Sequence, residues 1–212
     1  AYSNYVAVAH NGSPYVTAYN WSGAGWGSKF SNPSTLPAQE SYSVSFADDG
    51  SAIAVAHKSS PFVTAYPWSG SGFGTKFSNP STLPSNDAYA VAFSPDGSAI
   101  AVGHSGFGSK YSNPGTAPGS TGAGLDFSPD GAALAVAHSG SPFISAYAWS
   151  GSGFGSKFSN PSTLPTGYAN GVAFSPDGAA IAVAHYQNPR VSAYPWSGSG
   201  FGTKFANPST QP

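Results

Sequence analysis

The 212 residues carry 7 Lys plus Arg against 8 Asp plus Glu, a formal net charge of −1, so no basic surface exists to neutralise a run of phosphates and nucleic acid is excluded as a partner. Hydrophobic residues make up 40%, with 14 Phe, 12 Tyr and 5 Trp, which excludes a disordered chain; 27 Gly and 19 Pro point away from helix and toward many short strands joined by turns. There is no Cys, so disulfides and thiolate metal sites are excluded and the redox compartment is unread.

No apolar run approaches the roughly 18 residues of a membrane span, so a soluble segment without membrane insertion is expected. The start Ala1-Tyr2-Ser3, with no Met in the chain, reads as a processed terminus or an excised segment.

The elements belong to five copies of one repeat of about 47 residues, the signature of a solenoid or propeller. His10, His57, His104, His138 and His185 each end the tetrapeptide AVAH or AVGH, and no other His occurs. The histidines are spaced by 47, 47, 34 and 47, Lys29, Lys76, Lys110, Lys157 and Lys204 by 47, 34, 47 and 47, and Asp49, Asp96, Asp130 and Asp177 by 47, 34 and 47. The third copy is shorter by a block of 13 residues, which corresponds to the stretch of the second copy that contains residues 62–68. The copies fall at about 1–43, 44–90, 91–124, 125–171 and 172–212, within a single domain of residues 1–212.

In chain order, the first copy opens at its second strand, near Val6 to His10, and so lacks an inner strand. In the second copy a third strand at 62–68 sets Phe62, Thr64, Tyr66 and Trp68 on one face and Val63, Ala65 and Pro67 on the other. The Ser69-Gly70-Ser71-Gly72 turn leads to a short fourth strand at 73–77, then to the Pro-rich connection 78–84. The next first strand, 89–93, runs into Ser94-Pro95-Asp96-Gly97, where Pro presets φ, Asp caps the turn and Gly accepts positive φ. The second strand, 99–104, alternates bulky Ile100, Val102 and His104 with Ala99, Ala101 and Gly103. The hairpin His104-Ser105-Gly106-Phe107 then joins this strand to the last, making the third copy three-stranded. Four antiparallel strands apolar on both faces must stack sheet on sheet, and the expected fold is an all-β, five-bladed β-propeller.

The run V-A-F-S-P-D-G at 91–97 and 172–178, the following I-A-V-A-H and the aromatic third strand ending in Trp resemble the inner strand, first hairpin and outer strands of the WD40 family. The resemblance covers essentially the whole chain and implies the propeller fold. The sequence departs from the family in its Tyr-Pro-Trp-Ser, where the family has Trp-Asp, and in having no Gly-His before the inner strand. The near-identical copies also resemble repetitive propellers of bacteria and tailed phages, and blade count and repeat length are similar to those of five-bladed lectins such as tachylectin-2.

Two readings attach to the repeated His10, His57, His104, His138 and His185: a ring packed between blades and bonded to a loop, or one ligand-contacting His per blade. Neighbouring copies would stand roughly 14 Å apart, too far for a shared ion, so neither metal nor other cofactor is expected. Trp21, Trp68, Trp149 and Trp196, with Phe73, Phe154 and Phe201, read either as packing between blades or as sugar-stacking platforms. The repeated Asp are turn residues, and the repeated Lys protect an outer strand from edge-to-edge pairing.

The remaining charges, Glu40, Asp48, Lys58, Asp87, Asp126 and Arg190, are scattered along the chain and offer no nucleophile with a base, so no enzymatic activity is expected. The function read from this pattern is a surface-exposed module binding glycan or protein through repeated sites; the alternative is a structural component of a virion or cell-surface assembly. An extracellular or virion-surface location follows from either, a cytoplasmic one being the alternative. The missing inner strand of the first copy is expected from residues outside the segment or from a neighbouring subunit.

Overall fold

The computed structural model describes residues 4–104 and 111–210, and every regular element among them is a β-strand. Fifteen strands form five small antiparallel sheets. The chain divides into two compact units, Ala1–Gly108 and Ser109–Pro212.

The first unit holds three sheets. β1 (Tyr5–Ala9), β2 (Val16–Trp21) and β3 (Trp26–Lys29) form one, β4 (Ser41–Phe46), β5 (Ala52–His57) and β6 (Val63–Pro67) the next, and β7 (Ala88–Phe93) with β8 (Ile100–His104) the third. The second unit holds β9 (Gly122–Phe127), β10 (Ala133–His138), β11 (Ile144–Trp149) and β12 (Phe154–Lys157), and then β13 (Ala169–Phe174), β14 (Ala180–His185) and β15 (Val191–Pro195). First strands begin at Ser41, Ala88, Gly122 and Ala169, about three residues ahead of the repeat boundaries drawn from the sequence.

Among the described residues only β9–β12 is a four-stranded sheet, a correction to the expectation of four strands in each full copy. The first sheet is β1-β2-β3, with no described strand on the other side of β1. In the second and fifth copies the expected fourth strand reduces to single bridges, Trp68 to Phe73 and Trp196 to Phe201. Proline is the cause. The carbonyls of Pro67 and Pro195 accept from Gly74 N and Gly202 N at 2.8 Å, so the backbone at these residues faces the outer segment, but proline has no N–H to return. The first and fourth copies carry Asn20 and Ala148 there, and their ladders β2–β3 and β11–β12 form. The third copy shows β7 and β8; its expected hairpin at 104–107 lies largely outside the described residues.

The turn chemistry explains the hairpins. Ser94 Oγ donates to Asp96 Oδ1 at 2.6 Å, and the same oxygen accepts from Ala99 N at 2.9 Å. Ser128 with Asp130 and Ser175 with Asp177 repeat the arrangement. These bonds hold the Asp carboxyls below their usual range, that of Asp96 at about 2.

The two faces of the second strands divide between neighbours. In the first unit Ile53 and Val55 pack with Val16, Ala18, Tyr66 and Trp68, whereas Ala54 and Ala56 on the opposite face pack with Val63, Ala88 and Val91. Each fully buried Ile, Val or Leu contributes about 1.5–3 kcal/mol by leaving water. Small residues let sheets approach closely: a Cβ on Gly124 of β9 would meet Gly171 Cα of β13 at 2.8 Å.

Candidate binding face at the loop end of the sheets

The second strands end in their His, or in the first copy one residue before it, and in the first, second, fourth and fifth copies a loop then turns back into the third strand. Four of these loops share one backbone form: His10 N, His57 N, His138 N and His185 N donate to the carbonyls of Tyr15, Phe62, Phe143 and Arg190 at 2.8–3.0 Å. Those four acceptors sit at φ of 67–71°, a left-handed conformation that costs non-glycine residues about 1–3 kcal/mol. The surrounding ladder over-determines this strained position, and it presents an aromatic or Arg side chain at each loop.

The start of each first strand joins the same end. The residue after the His donates its N–H to the carbonyl of the residue before the first strand: Lys58 to Glu40 at 2.9 Å, Tyr186 to Tyr168 at 2.9 Å, Ser139 to Thr121 at 3.4 Å. One residue further into each first strand, the register slips at Tyr42, Tyr89, Ala123 and Asn170, the extra residues of β-bulges. Bulges re-aim side chains at such strand ends.

In the first unit this frame brings together Glu40, Tyr42, Lys58, Asp87 and Tyr89. The two tyrosine rings lie 5.2 Å apart at 35°, Tyr42 Oη donates to Glu40 Oε2 at 3.2 Å, and Lys58 Nζ stands 3.8 Å from the same oxygen. Asp87 Oδ1 accepts from Ser59 N at 3.5 Å. Partial burial first, then the Glu40 carboxylate, pushes the Tyr42 phenol above its usual range. Three charges that look scattered in the sequence are therefore neighbours, which corrects that expectation.

In the second unit the fourth copy carries Thr121 and Ser139 at the positions of Glu40 and Lys58, and the fifth copy is aromatic and basic. Tyr168 and Tyr186 are 62% and 68% exposed, and the Arg190 guanidinium lies 5.6 Å over the Tyr186 ring and donates to the Tyr186 carbonyl. Thr166 Oγ1 donates to the Asn188 carbonyl at 2.7 Å and ties the two loops. Asp126 lies elsewhere, on β9, where its carboxylate accepts from Phe174 N at 2.7 Å. Asp48 lies in the β4–β5 turn beside Asp49, which accepts from Ser51 N.

The histidines hold the frame. The Nε2 atoms of His57, His138 and His185 are hydrogen-bonded to Thr64 Oγ1, Ser145 Oγ and Ser192 Oγ at 2.8, 3.0 and 3.0 Å, and all three rings are buried. Burial lowers the pKa of each and keeps the rings neutral. His10 and His104 are half-buried. Among the described residues no group of His, Asp and Glu could hold a metal ion.

The expected ligand-stacking role of Trp68, Trp149 and Trp196 is corrected by their burial, at 4%, 8% and 6% exposure. Trp68 is boxed edge-to-face by Tyr5, Phe30, Phe46 and Phe73, Trp149 by Tyr111, Phe127 and Phe154, and Trp196 by Phe158, Phe174 and Phe201. No ring face remains for a sugar. Trp21 is half-buried and meets exposed Trp26 at 5.8 Å. The repeated lysines Lys29, Lys76, Lys157 and Lys204 each donate to the Asn three residues on.

No family model and no curated protein matches the chain. Among solved structures, the β-propeller domain of Cps50 (Swd1) from Myceliophteria thermophila superposes with a TM-score of 0.66 at 10% identity, over 99% of this chain and 70% of that one. The fold is a β-propeller. Hydrazine synthase of Kuenenia stuttgartiensis is similar over 73% of this chain and 45% of its own, with a TM-score of 0.52 and 17% identity. At these identities the likeness concerns the fold alone.

The loop-end site escaped a reading that searched for what the copies share, because its residues are those in which the copies differ. Ala38-Gln39-Glu40, Ser85-Asn86-Asp87, Gly119-Ser120-Thr121 and Thr166-Gly167-Tyr168 precede first strands that share their closing Val-x-Phe or Leu-x-Phe alternation. After the His, Asn11-Gly12-Ser13, Lys58-Ser59-Ser60, Ser139-Gly140-Ser141 and Tyr186-Gln187-Asn188 differ in the same way, whereas the hairpin turns and outer connections barely change.

Proposed function

We propose that this propeller is a non-enzymatic binding module that engages a protein or glycan surface through the loop end of its sheets. The observation that supports the reading is the coincidence of divergence between copies with exposed aromatic side chains on one backbone frame. Tyr42, Tyr168 and Tyr186 are 40%, 62% and 68% exposed, and tyrosine gives broad contact area at low entropic cost. The sites are unlike one another, acidic and aromatic around Tyr42 in the first unit, basic and aromatic around Tyr186 in the second, so each offers its own recognition chemistry instead of repeating one motif. Five blades, one domain over residues 1–212 and an extracellular or virion-surface setting belong to this reading.

The test is a glycan array and a displayed-protein library probed with the native chain and with Tyr42→Ala/Tyr168→Ala/Tyr186→Ala. Binders of the native chain should lose at least about tenfold affinity on the triple variant, about 1.4 kcal/mol, with its melting temperature unchanged. Binders that keep full affinity for the variant would remove the loop end from consideration. A second reading, a structural component of a virion or cell-surface assembly, is favoured by the open sheet edge described next.

A further inference from the structure

The first sheet ends in an edge that its sister sheets do not leave open. In the three sheets with both a first and a third strand, the valine two residues before the His is sealed: Val55 is 0% exposed, Val136 5% and Val183 0%. The same residue of β1, Val8, is 38% exposed, and no strand among the described residues pairs with β1 on the side away from β2.

The backbone direction can be fixed. The Asn4 carbonyl accepts from Trp21 N at 2.7 Å and His10 N donates to the Tyr15 carbonyl at 3.0 Å, both on the β2 side. Alternation along the strand then turns the N–H and C=O of Tyr5, Ala7 and Ala9 toward the free edge. At the matching place in β5, the Ala52 carbonyl accepts from Ala47 N at 3.0 Å. Such an edge, uncharged and without proline, is a template for another strand.

We propose that the free edge of β1 is a strand-acceptor site, and that its occupant is an extended partner segment with the Val-x-Phe alternation of this chain's own first strands. Three pairs define the register. Val44 and Phe46 oppose Val55 and Ile53, Leu125 and Phe127 oppose Val136 and Leu134, and Val172 and Phe174 oppose Val183 and Ile181. By the same register the incoming Val covers Val8 and the incoming Phe covers Val6. The sequence of the occupant sets its specificity through these two apolar positions, and main-chain bonds to Tyr5, Ala7 and Ala9 supply affinity. This site is separate from the loop-end face, so either can fail without the other.

The probe is a synthetic peptide with the sequence of residues 88–98, added to the full chain, with amide hydrogen exchange as the readout. At a peptide concentration about ten times its Kd, exchange at Ala7 and Ala9 should slow about tenfold. The peptide carrying Ala92→Pro loses the N–H that faces the acceptor strand and should give no protection. The chain carrying Ala7→Pro keeps its bonds to β2, since the lost N–H points to the free edge, and should lose the effect while remaining folded. Absence of protection at millimolar native peptide, or equal protection by the Ala92→Pro peptide, overturns the proposal. A dimer of the free chain that the peptide cannot dissociate, with Ala7 and Ala9 already protected, assigns the edge to a second copy and overturns the assigned occupant.

Discussion

Three fully buried tyrosines at equivalent positions of the third strands offer a controlled test of how this fold is held together. Tyr66 Oη donates to the Thr35 carbonyl at 2.7 Å and Tyr194 Oη to the Thr163 carbonyl at 2.8 Å. Tyr147, also at 0% exposure, has a hydroxyl with no hydrogen-bond partner among the described residues; the Ser145 hydroxyl near it is bonded to His138. The connection before its sheet reads Gly115-Thr116-Ala117-Pro118, where Tyr66 and Tyr194 find Ser-Thr-Leu-Pro. Substitution by Phe removes one oxygen and leaves the ring. For Tyr66→Phe and Tyr194→Phe the loss is one hydrogen bond, about 0.5–1.5 kcal/mol. For Tyr147→Phe an unsatisfied buried hydroxyl disappears, which relieves about 1–3 kcal/mol. In a chain of this size each kcal/mol moves the melting temperature by about 2–4 °C. Thermal unfolding should therefore fall by a few degrees for the first two variants and hold or rise for the third. A Tyr147→Phe variant as destabilised as Tyr66→Phe would mean that its hydroxyl is bonded after all, and the reasoning fails.

Burial lowers the pKa of His57, His104, His138 and His185 below the ordinary value of 6.5, so the unfolded chain binds protons that the folded chain refuses. Stability should be full above pH 6.5 and fall as pH drops below it, with a further loss below pH 3.8 as the Ser-bonded turn Asp residues protonate; a melting temperature flat between pH 8 and pH 5 would contradict this. Ala148→Pro should convert the β11–β12 ladder into the single-bridge form of the second and fifth copies, with faster amide exchange at Phe154 to Lys157 and about 1 kcal/mol of lost stability; unchanged exchange there would show that proline is not what reduces those strands.

The fold was legible because the repeat places the same turn and strand patterns five times, and SPDG, AVAH and the aromatic third strand each have a local physical meaning. What the sequence reading passed over is a single local contradiction, the proline before Trp68 and Trp196, whose missing N–H faces the outer strand. The role of the histidines was half legible. Their place at a strand end follows from the pattern, but the hydroxyl partner seven residues on, Thr64, Ser145 or Ser192, was also in the sequence and went unused. The tryptophans could not be settled from the chain alone, because the rings that cover Trp68 come from four other strands or connections, including Phe30 and Phe46. The loop-end cluster was hidden by sequence distance, since Glu40 and Lys58 meet through pairing of β4 with β5, and Asp87 joins them through the packing of the next sheet.

The loop end can vary because its frame is made of backbone. The bonds from Lys58 to Glu40, Tyr186 to Tyr168 and Ser139 to Thr121 join main-chain N–H and C=O, which every residue except proline supplies. The side chains on that frame contribute little to stability: the Lys58–Glu40 ion pair is 44% and 41% exposed at 3.8 Å, a geometry worth at most a few tenths of a kcal/mol. Even the left-handed loop residue accepts Tyr15, Phe62, Phe143 and Arg190 alike, because the His N–H bond and the next strand fix its backbone whatever the side chain. Stability thus resides in the buried Ile, Val, Ala, Tyr and Trp positions that the copies share, and substitutions at the loop end leave those contacts untouched. Where copies diverge at positions that are nearly free in folding terms, each sheet can acquire different recognition chemistry, and the acidic Tyr42 cluster and the basic Tyr186 cluster are two such outcomes on one frame.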